Sequence, residues 1–397
     1  MPLIERLRKA PRELILFATV SLTVGVGYSI SDSIFNNFIN SKFSLSGFQR
    51  SFLELPRELP GFLVLFVSAM LWFLCSRRLS AVSMLLGALG AGLIGFASSD
   101  YTVMVIWLFV YSMGQHLYMP LASTIGMELA HEGQTGRRLG QLNSIRNMAT
   151  IIGSFIVMVG FGYLGFTFQH AYVIAVIALV LAAIFMFQMK PEQKHTPRVF
   201  LKLRKEYRLY YALAIISGAR RQIFITFAPW VLVRIFNQPT QIMATLYTIG
   251  GVIGILFQPL LGRAIDHLGE RLILSGEAIL LVFVCLGYSL APSLLPQGTA
   301  FYVVCVCFLL DQMLFSVSMA RSTYMKKIAR QPADIQATLT AGVTLDHIFS
   351  IGAALLGGLI WNAFGFQYVF LMGVIIAVIN FFTALRIRLP QADRKTI

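Results

Sequence analysis

The stretch KPEQKHTPRVFLKLRKEY, residues 190–207, is the longest polar interruption in a chain of 397 residues. Apolar runs dominate the sequence on both sides of it. The whole chain is 57% hydrophobic and 12% charged, with a mean hydropathy of +0.74. A soluble core would not hide so much apolar surface, so the composition predicts an integral membrane protein that this stretch divides into two parts.

Apolar segments long enough to span the hydrocarbon recur in both parts, since a spanning helix needs about 20 such residues. Six precede the stretch and six follow it, at residues 14–38, 48–74, 79–98, 101–128, 139–163, 168–189, 207–235, 241–265, 271–291, 299–327, 335–362 and 366–388. A β-barrel would instead need alternating segments of about ten residues. Runs such as residues 303–310 are apolar throughout, so we predict an all-α fold with twelve transmembrane helices.

Positive charge follows this predicted topology. The net charge is +15, and 24 of the 32 Lys and Arg residues fall on one side when the N-terminus is placed in the cytoplasm. The positive-inside rule therefore predicts a multi-pass protein of the cell (inner) membrane with both termini cytoplasmic. Basic clusters beside the membrane favour anionic lipid headgroups as partners, not nucleic acid. Because no small-residue cleavage site follows the basic start, we expect the first segment to be retained.

The two parts show weak self-similarity in chain order. DSIFNNF from Asp32 is matched by RQIFITF from Arg221, and NMATIIGSF from Asn147 by DHIFSIGAA from Asp346. A nearly constant offset fits two parallel six-helix repeats. We therefore expect an N-terminal bundle, a basic cytoplasmic linker and a C-terminal bundle at residues 1–189, 190–206 and 207–397.

The sequence GRAIDHLGER, residues 262–271, resembles a motif of the major facilitator superfamily, Gly-x-x-x-Asp-Arg/x-x-Gly-x-Arg, found in cytoplasmic loops of both halves. Gly262, Asp266, Gly269 and Arg271 match it, whereas the first-half counterpart AMLWFLCSRR, residues 69–78, keeps only the basic end. With the twelve segments and the basic linker, the resemblance covers the whole chain. It implies two pseudo-symmetric six-helix bundles that open a midplane site alternately to each side.

The same resemblance implies a gating loop. Asp266 would accept backbone N–H groups from a helix start in the other half and pair with Arg321, which closes the inner face. The expected gating residues are Gly262, Asp266, Gly269, Arg271 and Arg321.

Charged residues also occur inside the predicted segments, where each costs at least a few kcal/mol unless it faces a cavity or another charge. FLELPRELPGF, residues 52–62, places Glu54, Arg57 and Glu58 on one helix side. The candidate substrate and proton site comprises Asp32, Glu54, Arg57, Glu58, His116, Arg146, Arg220, Arg221, Asp311, Asp346 and His347. Segments three, six, nine and twelve contribute almost no ionisable residues at comparable depths in the membrane. Adjacent residues point about 100° apart on a helix, so we expect only one of Arg220 and Arg221 to face the cavity.

These residues point to a secondary active transporter. No phosphate-binding loop or nucleophile triad occurs, so we expect no enzyme activity, no cofactor and no metal. Burial favours the protonated form of a carboxyl group and a nearby arginine favours the ionised form, which allows proton coupling. Arginine binds carboxylates, so the predicted substrate is a small organic anion or polar metabolite, carried by a monomer.

Two alternatives stay open. One is a proton-driven exporter of multiple drugs or lipophilic compounds; exporters of this superfamily usually carry a Gly-Pro pair in helix five, whereas MATIIGSFIVMVGFG, residues 148–162, has no proline. The other is a non-transporting membrane receptor, which would not need so dense a charge lining. For any one charged residue, a structural ion pair between helices is an equally good interpretation. The five acids and four arginines together exceed what packing requires.

Overall fold

The protein is described by a computed structural model at residues 11–71, 73–130, 135–191 and 203–388. Within these ranges the chain is helical and forms no strand. Most of the predicted linker lies outside the described residues, so the expectation for residues 190–206 stays a prediction.

Fourteen α-helices and two 3-10 turns make up the described part of the chain. The helices are α1 (Arg12–Phe43), α2 (Gly47–Phe52), α3 (Glu54–Met70), α4 (Ser76–Ala97), α5 (Tyr101–Glu128), α6 (Thr135–Tyr163), α7 (Phe168–Phe187), α8 (Arg208–Arg234), α9 (Thr240–Leu268), α10 (Glu270–Leu294), α11 (Gln297–Leu314), α12 (Ser318–Ile328), α13 (Pro332–Phe364) and α14 (Phe366–Leu385). Each of the twelve predicted segments coincides with one helix or with one of the pairs α2–α3 and α11–α12. The all-α prediction is therefore confirmed.

Nine of the described segments are long and apolar enough to cross a membrane by length and composition. The predicted segments outside this set are α2–α3, α5 and α8. Each carries polar groups: α3 has three charged residues, α5 has His116, and α8 has the adjacent Arg220 and Arg221. Segment α3 is also only 17 residues long.

The second predicted segment is broken into two helices at Leu53. Pro56 has no N–H to donate to the carbonyl of Phe52, so the helix ladder is interrupted there. The short helix α2 has its own capping box, in which Ser46 accepts from the N–H of Gln49 and the Gln49 side chain accepts from the N–H of Ser46. The tenth segment is likewise interrupted, by the 3-10 turn Phe315–Val317.

The chain divides into two compact units. The first contains the described residues of Met1–Phe43, Leu59–Arg198 and Pro239–Gly251, and the second contains those of Ser44–Glu58, Val199–Gln238 and Val252–Ile397. The beginning of α3 therefore belongs to the second unit, and the beginning of α9 belongs to the first.

The two units have the same internal packing pattern. In the first unit, α1 packs against α6 and α7, and α4 packs against α5 and α7. In the second unit, α8 packs against α13 and α14, and α10 packs against α11 and α14. Small residues permit some of these contacts, since a Cβ on Gly114 of α5 would collide with the backbone of Gly87 in α4. Equivalent neighbours in chain order are what two pseudo-symmetric bundles require.

Candidate functional site

The second unit contains a cavity of about 420 Å³ whose walls come from α8, α11, α12, α13 and the Phe315–Val317 turn. Its charged lining residues are Arg220, Arg221, Arg321 and Asp346. Four hydroxyl groups also line it, those of Tyr210, Ser217, Ser318 and Ser322. Both adjacent arginines border this cavity, so the expectation that only one of them would do so is wrong.

Arg221 and Asp346 form a short ion pair at this cavity. The Nη2 atom of Arg221 donates a 2.6 Å hydrogen bond to Oδ2 of Asp346, and both side chains are partly exposed. Gly218, one turn before in α8, leaves the space that the Asp346 carboxylate fills. Ser350 of α13 also donates to the carbonyl of Gly218 at 3.1 Å. The pair is therefore held by a close contact between α8 and α13.

Arg220 is the deeply buried member of the cavity wall, with 4% of its surface exposed. Its Nη1 lies 3.6 Å from Oδ1 of Asp311, and its Nη2 lies 3.6 Å from Oε1 of Glu277. Arg321 Nη1 lies 3.7 Å from the other oxygen of Glu277. These separations are ion pairs but exceed hydrogen-bond length. The guanidinium of Arg220 is thus neutralised while its Nε and Nη2 have no hydrogen-bond partner in the described part of the chain.

Glu277 of α10 is a site residue that the sequence reasoning missed. The expectation that segment nine contributes almost nothing ionisable is wrong. At about 1.5 Å per residue, Glu277 lies about 9 Å into its predicted segment, the same depth as the candidate site residue Glu54. Glu270, seven residues earlier on the same helix face, is also buried. Two acids seven residues apart, at the start of an apolar segment, are the signal in the sequence.

The residues expected to form a gating loop occupy a sharper turn than the motif implied. Gly262 and Asp266 lie within α9 and Arg271 lies in the first turn of α10, so Gly269 alone joins the two helices. Gly269 has φ 79° and ψ 160°, a conformation essentially restricted to glycine. Asp266 is exposed, and among the described residues the ion-pair partner of Arg321 is Glu277. The expected pairing of Asp266 with Arg321 is therefore wrong for this structure.

The charges that begin α3 neutralise one another within the second unit. Arg50 of α2 is fully buried and donates a 2.6 Å hydrogen bond to Oε1 of Glu54, which is 1% exposed. Arg57 lies 3.5 Å from the same oxygen. Gln222 of α8 donates to the other Glu54 oxygen at 2.9 Å, and the Arg50 guanidinium lies 6.0 Å from the ring centre of Trp230.

Glu58 also contacts His347 within the second unit, since its Oε2 lies 2.5 Å from Nδ1 of His347.

In the first unit, the predicted residues lie on three different helices. Asp32 of α1 interacts electrostatically with Tyr28 and Tyr172. His116 of α5 places Nδ1 3.0 Å from the hydroxyl of Ser112, and Arg146 of α6 is exposed. The structure thus groups seven predicted residues into contacts within the second unit, namely Glu54, Arg57, Glu58, Arg220, Arg221, Asp311 and Asp346, with His347 as an eighth.

Long apolar helices in two units, with charged side chains around a cavity, define a polytopic membrane protein. The sequence model of the Major Facilitator Superfamily matches residues 18–355, and the chain belongs to that family. Members of the family are secondary transporters, often coupled to protons, and not enzymes. A comparison with curated proteins at the level of sequence gives no match.

Solved structures of similar fold are transporters as well. A mutant form of the nucleoside transporter NupG matches 94% of this chain and 99% of its own, with a TM-score of 0.75 and 13% identity. The D-xylose-proton symporter matches 97% of this chain and 99% of its own, at 0.71 and 14%. A bacterial homolog of the human lysosomal transporter Spinster matches 94% and 96%, at 0.68 and 13%. At sequence identities this low, the structural similarity shows that the fold is shared.

Proposed function

We propose that this protein is a proton-coupled secondary transporter that carries a small organic anion or polar metabolite across the cell membrane by alternating access. The observation that carries the proposal is the cavity of the second unit. Its lining contains Arg220, Arg221 and Arg321 together with four residues that bear hydroxyl groups. The distribution of Lys and Arg supports a position in the inner membrane with both termini cytoplasmic. We propose a monomer in contact with anionic lipids.

The cavity has the chemistry for a small oxygen-rich anion. A guanidinium group is a planar fork of N–H donors that matches a carboxylate, and it is weakly hydrated, so it binds anions well in a partly buried site. The hydroxyl groups of Ser217, Ser318 and Tyr210 offer hydrogen bonds to the polar remainder of such a molecule. A volume of about 420 Å³ suits a small metabolite.

The charge balance of the site supports coupling to a proton. The three arginines of the wall pair with three carboxylates, those of Glu277, Asp311 and Asp346, so the ionised cluster is formally neutral. A bound anion would add one uncompensated negative charge to a weakly polar environment, which is costly. A proton on one carboxylate restores neutrality. One monovalent anion carried with one proton is therefore the stoichiometry that the cluster favours.

Purified protein in liposomes tests this proposal. A gradient of about one pH unit is worth about 1.4 kcal/mol per proton and supports about tenfold accumulation of an anion carried with one proton. Radiolabelled gluconate, lactate and the hydrophobic cation tetraphenylphosphonium are compared with protein-free liposomes, which correct for passive entry of lactic acid. We expect an anion to accumulate on the alkaline side and a protonophore to abolish the accumulation.

Other outcomes would overturn it. Anion uptake that ignores the pH gradient would refute proton coupling. Movement of the hydrophobic cation without movement of either anion would refute the substrate class and favour an exporter.

A further inference from the structure

We propose that Glu277 is the residue that couples the proton to the anion, by holding Arg220 and Arg321 back from the cavity when ionised and releasing both when protonated. This inference rests on the proposed function and names the coupling group of the same site.

Glu277 lies behind the cavity wall. Arg220 of α8 and Arg321 of α12 both line the cavity, whereas Glu277 projects from α10 outside the lining and is 6% exposed. Its two carboxylate oxygens face different arginines, with Oε1 3.6 Å from Arg220 and Oε2 3.7 Å from Arg321. One carboxylate therefore attracts two guanidinium groups that an anion in the cavity would also attract.

The ion pairs of Glu277 with the two arginines are longer than the other buried ion pairs described above. The pair Arg221 with Asp346 and the pair Arg50 with Glu54 are both hydrogen-bonded at 2.6 Å. The contacts of Glu277 are about 1 Å longer, and its Oε2 has no hydrogen-bond partner among the described residues. An anion that makes short charge-assisted hydrogen bonds from the cavity side would attract the same arginines more strongly than these long pairs do.

The surroundings of Glu277 explain why its protonation matters. The charged groups that face it are Arg220 from α8, Arg321 from α12 and, beyond Arg220, Asp311 from α11. The other described neighbours of α10 include α14, which presents Phe370 and Gly373 to Tyr288 and Cys285 of α10, and the Phe315–Val317 turn, which carries no ionisable residue.

The local charges are balanced when Glu277 is ionised, since two arginines face two carboxylates. Protonation leaves one net positive charge beside the cavity, and a bound monovalent anion neutralises it. Asp311 is the weaker candidate for this role, because its carboxylate faces Arg220 alone and its protonation would release one arginine instead of two.

The test compares the wild-type protein with Glu277→Gln in liposomes, with gluconate and lactate as probes. Glutamine resembles the protonated acid, so we expect counterflow exchange of the anion to persist. Under a gradient of about one pH unit, accumulation should fall from about tenfold to no accumulation, because no proton is carried. Anion affinity should also lose its pH dependence. Glu277→Asp, which keeps a titratable group, should retain part of the accumulation.

Glu270→Gln is the matched control. Glu270 is a buried glutamate of the same helix, paired with Lys327 at 2.9 Å, and it does not border the cavity. We expect this variant to accumulate anion as the wild type does. A second readout is the infrared difference spectrum on adding gluconate at constant pH, in which the wild type should gain a protonated-carboxyl band that Glu277→Gln lacks.

The outcomes separate the two proposals. If the wild type accumulates an anion and Glu277→Gln accumulates it equally, only the role of Glu277 is refuted. A folded Glu277→Gln protein that loses counterflow as well as accumulation would also refute it, since Glu277 would then be needed for binding and not for coupling. If the wild type gives no counterflow of either anion, the proposed function fails and this inference fails with it.

Discussion

Gly218 of α8 and Asp346 of α13 are so close that the Asp346 carboxylate fills the space where a side chain at position 218 would begin. The same carboxylate accepts the 2.6 Å hydrogen bond from Arg221 at the cavity. The absence of a side chain at one position of α8 therefore determines where an ion pair of the cavity wall can form.

Replacing Gly218 by alanine should displace Asp346 and separate it from Arg221. Overpacking of this kind costs about 1–3 kcal/mol, so we expect a lower melting temperature in detergent and loss of gradient-driven anion uptake. Gly352→Ala on α13 is the control, because a Cβ there meets no atom within 4 Å. Equal melting temperatures and equal uptake for the two variants would show that the close contact is unimportant.

Removing Arg50 should destabilise the protein strongly. Arg50→Ala leaves the buried Glu54 carboxylate without its closest cation, and breaking a buried pair costs about 3–5 kcal/mol. Because Arg57 and Gln222 still contact Glu54, we expect the lower end of that range in denaturant unfolding. The double variant Arg50→Met with Glu54→Leu should recover most of the loss. A double variant as unstable as Arg50→Ala would mean that packing, not charge, is responsible.

Arg221→Lys should weaken anion binding. Lysine keeps the charge but lacks the planar fork that binds a carboxylate through two donors. We expect about tenfold lower affinity for the transported anion, equivalent to about 1.4 kcal/mol, measured as half-saturation of counterflow. Arg234→Lys, at the exposed end of the same helix, should leave the affinity unchanged. Equal affinities in the two variants would remove Arg221 from the substrate site.

Gly269→Ala should destabilise the joint between α9 and α10. A side chain at φ 79° and ψ 160° is strained, and residues in such regions cost about 1–3 kcal/mol. Gly276→Ala, seven residues later in α10, provides the comparison, since a Cβ meets no atom within 4 Å at either position. Alanine favours a helix interior, so Gly276→Ala should be neutral or stabilising by up to about 1 kcal/mol. Similar thermal unfolding of both variants would exclude backbone strain at Gly269.

Asp100 should stabilise the folded protein at neutral pH, and this stabilisation should be lost in acid. The backbone N–H of Val103, with Ser99 and the N–H of Thr102, lowers the pKa of Asp100 below its usual value at the start of α5. A lowered pKa means that this stabilisation is complete above the usual pKa of aspartate and is lost as pH falls through the lowered pKa. Asp100→Asn should remove this part of the pH dependence of the melting temperature. An unchanged profile in the variant would contradict the capping role.

Local patterns in the sequence predict most of the fold. Segment length and apolarity locate the twelve helical segments, and the spacing of Glu54 and Arg57 predicts their contact at 3.5 Å. Pro56 predicts an interrupted hydrogen-bond ladder in the second segment, and the helix breaks at Leu53.

The partners in the site could not be predicted in the same way. Arg50 is not among the candidate site residues, so its burial against Glu54 was not predicted. Glu277 is not among them either, because segment nine was expected to contribute almost nothing ionisable. Which arginine meets which carboxylate depends on helix rotation and depth, and these are set by packing between helices far apart in sequence.

The equal numbers of guanidinium and carboxylate groups around the cavity have an electrical consequence. With three of each, the ionised site carries no formal charge, and in the proposed transport cycle, with one anion and one proton bound, it again carries none. A voltage across the bilayer does work only on net charge that moves. A potassium diffusion potential should therefore neither drive nor retard uptake by this carrier, whichever way the voltage is directed.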